Sequence, residues 1–135
     1  MVEKTFLAET VRLDEVIEFI DEQLEKADCP TKTRIQLDVA VEEIFINVAH
    51  YAYHPDVGAV EIKVMVTENP KTAVITFSDS GKPFNPLDNP DPDITLSAEE
   101  RKIGGLGIYM VKKTMDDIRY EFTDGKNRLT IVKSL

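Results

Sequence analysis

Apolar residues recur along this chain with two periods, and the switches between them lay out the elements. Leu13, Val16, Ile17, Ile20 and Leu24 stand at helical spacing and predict a helix over 13–27. Asp28-Cys29-Pro30 breaks it, because the residue before a proline disfavours helix; Thr31 or Thr33 is expected to cap the next one. That second helix is expected to run to near His54-Pro55. At about 100° per residue, Leu37, Val41, Ile44, Phe45, Val48 and Ala52 form one stripe, while Glu43, Asn47 and His50 form another and Glu42 points elsewhere. One helix therefore carries a core face and, beside it, a carboxylate and an amide one turn apart.

Period two takes over at 59–66 (AVEIKVMV) and 72–78 (TAVITFS), which read as a hairpin across Glu68-Asn69-Pro70-Lys71. A short β-prone run at 4–8 precedes the first helix. Near the end, Ile108, Val111 and Met115 keep helical spacing, and 118–122 with 128–132 read as a hairpin across Asp124-Gly125. The fold class expected is α+β: a two-layer α/β sandwich with helices on one face of a mostly antiparallel sheet, built as a single domain over 1–135. Residues 79–104 fit neither period. Pro83, Pro86, Pro90 and Pro92 lie there among Asp, Asn and Ser, and so long an irregular stretch inside a compact domain points to a functional lid around 80–104.

Composition narrows the function classes. With 135 residues, 42% of them hydrophobic, the chain can bury one respectable core. A net charge of −9 argues against binding to nucleic acid or an anionic membrane, since both need Lys and Arg to neutralise phosphates. The single Cys29 cannot form an internal disulfide, no apolar run approaches about 18 residues, and MVEKTFLAET is no signal peptide; a soluble cytoplasmic protein is expected. His50 and His54 read as structural or exposed groups, since their spacing lacks the carboxylate or cysteine support of a metal site.

Three clusters carry candidate chemistry. Glu43 and Asn47 are the first, although such a pair is also an ordinary solvated face. Asp79-Ser80-Gly81 follows a strand directly: a carboxylate there can accept a hydrogen bond from an exocyclic amine, and Gly81 leaves room for a flat ring, yet Asp-x-Gly is also a plain turn signal. Gly104-Gly105-Leu106-Gly107 opens a helix, where backbone N–H groups and the helix dipole favour a phosphate, although glycines at such a junction also serve the turn alone.

Taken in order, Glu-x-x-x-Asn on a helix, a strand ending in Asp-x-Gly, a lid and a glycine-rich loop into a helix resemble the nucleotide-binding boxes of the GHKL (Bergerat) ATP-binding superfamily. Within it, GKPFNPL and ERKIGGLGIYMVKKTMDDIRYE are similar to the anti-sigma factor serine kinases and related anti-sigma regulatory factors. The resemblance implies ATP and Mg²⁺ as cofactors, with Asn47 as the metal ligand, Asp79 reading the adenine amine and Gly81 packing on the base. It implies Gly104, Gly105, Leu106 and Gly107 around the phosphates, with Arg101 as a γ-phosphate contact. Glu43 matches the general base that takes a proton from a partner's hydroxyl.

The implied function is a Mg-ATP-dependent serine/threonine protein kinase that sequesters a sigma factor and phosphorylates an anti-anti-sigma protein of the STAS type. A homodimer is among the states the family adopts. An alternative is an ATP-gated regulatory module without kinase activity, for which Glu43 has no use. A sensor histidine kinase is disfavoured, because no helical dimerisation segment carrying a phosphoacceptor histidine is read in the sequence and Glu43 stands where those proteins usually have an amide.

Overall fold

The computed structural model describes residues 1–88 and 105–135. Five strands form one sheet: β1 (Val2–Leu7), β2 (Ala59–Thr67), β3 (Thr72–Asp79), β4 (Asp117–Thr123) and β5 (Lys126–Ser134), in the order β1-β2-β3-β5-β4. Every neighbouring pair is antiparallel. Three helices, α1 (Leu13–Lys26), α2 (Thr31–Asn47) and α3 (Gly105–Thr114), form the second layer. The two-layer α+β arrangement expected from the periodicities is the one observed.

The pleat explains the core. On β2, Val60, Ile62 and Val64 point inward, and on β3 Ala73, Ile75 and Phe77 do the same. They meet Val16, Ile20 and Leu24 of α1 and Leu37, Val41, Ile44 and Phe45 of α2 in one continuous cluster. Val111 of α3 and Met115 just beyond it join the cluster, and Ile108 of α3 is buried as well, as their spacing predicts. The β4–β5 turn is Asp124-Gly125, with φ of 56° and 74°; two positive φ values in a two-residue turn match the twist of the strands it joins.

Three expectations need correction. The first strand is Val2–Leu7, ending before Ala8 rather than including it. No threonine side chain caps α2; Pro30 occupies the N-cap with φ −59° and ψ 145°, and its carbonyl accepts the first helical bond from Arg34 N at 2.9 Å. Proline already fixes the extended-to-helical entry, so no hydroxyl is needed. The regular α-helix also stops at Asn47, not near His54, because the chain widens into a π-turn over Val48–Ala52. Such a turn re-aims the residues that follow it, and turns of this kind concentrate at functional sites.

Candidate functional site

The inward row of β3 does not end in a hydrophobic residue. After Ala73, Ile75 and Phe77 the next inward position is Asp79, only 6% exposed. A carboxylate taken out of water needs donors, and Asp79 receives two, both on Oδ1: Gly81 N at 2.9 Å and Asn127 Nδ2 at 2.9 Å. No described residue donates to Oδ2. Asn127 faces Asp79 directly in the β3–β5 ladder and is likewise 6% exposed.

Asn127 anchors more than the aspartate. Its amide NH₂ also donates to Lys82 O at 2.8 Å and, at the limit of 3.5 Å, to Gly81 O. Its oxygen accepts Phe84 N at 3.1 Å and a short bond from the Tyr120 hydroxyl. The Tyr120 phenol is pushed up from its ordinary pKa, by burial first and by the charges of Asp79 and Asp88 after it, against a bond to Phe84.

From the helical side, the π-turn brings Ala52 O to Lys82 N at 2.8 Å. The chain leaving β3 lies so close to this turn that a Cβ on Gly81 would overlap the Ala52 carbonyl. Tyr53 braces the same loop: its hydroxyl accepts Ser80 N at 2.8 Å and donates to Ala59 O at 2.6 Å. Between these parts opens a cleft of about 420 Å³, its solvent-facing space included, with Asn47, Asp79, Asn127, Tyr120 and Phe84 on its walls. Ile44, Phe77 and Leu129 give it an apolar floor. Few polar groups converging over an apolar base is the usual make-up of a small-molecule site.

Asn47, the last residue of α2, presents a half-buried amide with no hydrogen bond to any described residue. Glu43 lies one turn earlier and does not line the cleft; its carboxyl sits against Gly107 of α3, where a Cβ would fall inside it. Burial raises the pKa of Glu43, and the neighbouring charge of Glu42 raises it further. A carboxyl moved toward neutrality holds a proton more readily, which suits an acceptor in proton transfer.

Of the residues singled out in the sequence, Asn47 and Asp79 thus meet at one cleft, Gly81 does not line it but donates its N–H to Asp79, and Glu43 meets Gly107. Gly105 and Leu106 form the first turn of α3. Arg101, Gly104 and the lid beyond Asp88 lie outside the described residues. His50 is exposed, its ring edge-on to Tyr51 at 6.0 Å. Asn127 and Tyr120 were not anticipated. The available signal was the alternation Asn127, Leu129, Ile131, which places the amide on the inward face of β5.

A family model described as a histidine kinase-like ATPase domain matches residues 6–133. The "Serine-protein kinase RsbW" of Bacillus thuringiensis is 29% identical over 91 residues, 66% of this chain and 57% of that protein. The "Serine/threonine-protein kinase BtrW" of Bordetella bronchiseptica is 23% identical over 100 residues, 74% of this chain and 70% of that protein. The match thus spans little more than half the length of the RsbW relatives. Among solved structures, the Acinetobacter baumannii histidine kinase AdeS aligns with 99% of this chain and 68% of its own, at a TM-score of 0.51 and 13% identity, which is a likeness of fold. No helix among the described residues is long and apolar enough to cross a membrane.

Proposed function

Because this chain belongs to the histidine kinase-like ATPase domain family, we propose that it is a Mg-ATP-dependent serine/threonine protein kinase. In this reading it is one cytoplasmic domain that sequesters a sigma factor and phosphorylates an anti-anti-sigma protein. The observation that carries the proposal is the convergence of Asn47 and Asp79 on one cleft, with the Glu43 carboxyl one turn away under α3. The names of the curated relatives support serine as the phosphate acceptor.

The residues fit the two cofactors. Asp79 Oδ2, uncommitted to any described donor, can accept the amine of adenine, while Gly81 holds Oδ1 through its N–H and is assigned to the base by the family resemblance. Gly105 and Gly107 in the first turn of α3 let backbone N–H groups approach phosphate oxygens. The Asn47 amide fits Mg²⁺, a hard cation that keeps several waters and needs few protein ligands. When bound, the ion neutralises charge on the phosphates. Glu43 accepts the proton of the attacking hydroxyl, and its raised pKa holds that proton once taken. Arg101 and Gly104 are assigned to the phosphates by the family resemblance.

The test is thermal unfolding of the wild type and Asn47→Ala with ATP, ADP and GTP, with and without Mg²⁺. Binding to the folded state stabilises by RT ln(1 + [L]/Kd), about 2.7 kcal/mol at a hundredfold excess over Kd. An adenine-specific shift that depends on Mg²⁺ and is lost in Asn47→Ala is expected; no shift with any nucleotide overturns the reading. Transfer of labelled phosphate to a protein serine, abolished in Glu43→Gln with ATP binding intact, separates the kinase from an ATP-gated binder.

A further inference from the structure

Asn127 is saturated. Its two amide hydrogens go to Asp79 Oδ1 (2.9 Å) and Lys82 O (2.8 Å), and the two lone pairs of its oxygen take Phe84 N (3.1 Å) and the Tyr120 hydroxyl. The reverse amide orientation would set its oxygen against a carboxylate and a carbonyl and its NH₂ against a backbone N–H, so the surroundings fix which atom is which. A group with no capacity left cannot also bind a ligand. Whatever Asn127 does at this cleft, it does through Asp79.

What it does follows from which oxygen it occupies. Both donors to Asp79, Asn127 Nδ2 and Gly81 N, fall on Oδ1. The carboxylate is thereby fixed in rotation, with Oδ1 committed and Oδ2 as the remaining acceptor in a buried wall of the cleft. An exocyclic amine donates to such an oxygen. A carbonyl at the same place on a purine repels it.

We propose that Asn127 is the positioning residue for base selection: by holding Asp79 through Oδ1, it presents Oδ2 as a single aimed acceptor for the 6-amino group of a purine nucleotide. The inference rests on the Mg-ATP reading above. Asn127 also bonds Lys82 O and Phe84 N, so the same amide fixes the segment through which β3 leaves the sheet. A merely structural role would be confined to that clamp.

The two roles separate by comparing ATP with purine riboside triphosphate, which lacks only the 6-amino group, in Kd measurements on the full chain. In the wild type ATP should bind roughly tenfold or more tighter than the analogue, the worth of one hydrogen bond to a charged group. In Asn127→Leu, similar in size but without hydrogen-bonding atoms, the ratio should fall to within about twofold while affinity for the analogue changes little. If Asn127→Leu does not fold, Asn127→Ser, too short to reach Asp79, is expected to give the same collapse of the ratio. Equal weakening of both nucleotides, with the ratio kept, overturns the proposal and leaves Asn127 a structural clamp. A wild type that binds both nucleotides equally also overturns it, since the amine is then unread. A wild type that binds neither overturns the Mg-ATP reading itself.

Discussion

The carboxyl of Glu43 on α2 occupies the space that a side chain at position 107 of α3 would need. The Glu43 carboxyl can lie where it does only because Gly107 has no Cβ. In Gly107→Ala the obstruction is the tip of a flexible side chain, so Glu43 swings aside while the backbone stays. Alanine also favours helix by up to about 1 kcal/mol. Thermal stability should therefore hold or rise slightly while phosphotransfer falls by roughly tenfold or more. A Gly107→Ala protein with full transfer activity would show that the Glu43 carboxyl need not stay in place.

Gly81 is the opposite case. A Cβ there would meet the backbone carbonyl of Ala52, which Lys82 N holds at 2.8 Å, so no side chain can yield. Gly81→Ala should push the loop off the π-turn and pull Gly81 N from Asp79. The expected cost is about 1–3 kcal/mol, as for other overpacked sites, with loss of nucleotide binding. Unchanged melting and unchanged nucleotide affinity would mean that the loop and turn can part at no cost.

Periodicity is a local property, and what was legible in the sequence was local. Alternation on Ala73, Ile75 and Phe77 and helical spacing on Leu37, Val41 and Ile44 set the layers, because each face needs only its own neighbours to declare itself. Glu43 with Asn47, Asp79 with Gly81, and Gly107 could each be found within a few residues of chain. Asn127 could not. Its meaning comes from lying opposite Asp79, 48 positions earlier, in a register fixed by the whole β3–β5 ladder. The π-turn after Asn47 was hidden for a related reason: the helical stripe continues through Ala52, and only the loop packed at Gly81 shows why the backbone widens there.

Glu43 should leave a mark on the pH dependence of turnover. Its pKa is raised by burial first and by the Glu42 charge second. A base works deprotonated, so activity should climb as pH rises through this raised value, above the ordinary carboxylate range. Glu42 is exposed. Glu42→Gln removes one of the two causes, so it should move the acidic limb to lower pH without changing the plateau rate. An acidic limb at the same pH in both proteins would assign it to another group.

Stability should fall with rising pH for a separate reason, at the α1–α2 contact. Arg34 Nη1 bridges Asp21 Oδ2 at 3.3 Å and Asp38 Oδ2 at 3.5 Å, while Oδ1 of each aspartate is buried without a partner among the described residues. A proton shared between the carboxyls satisfies both oxygens. Accordingly Asp38 is pushed up to about 7, by burial, by a hydrogen bond to Asp21 and by that residue's charge, against the pull of Arg34. The Cys29 thiol beside them is raised too, by burial first. For a group whose folded pKa lies above its unfolded one, the contribution to stability is complete below the unfolded value near 3.8 and disappears as pH rises through the folded value near 7. The pair titrates as a unit, and between pH 6 and pH 8.5 the loss should be about 1 kcal/mol. Asp38→Asn supplies a permanent N–H donor to Asp21 in place of the proton. Melting temperatures of the two proteins should therefore converge at pH 6 and separate at pH 8.5 in favour of the variant. The same decline in both would locate the titrating group elsewhere.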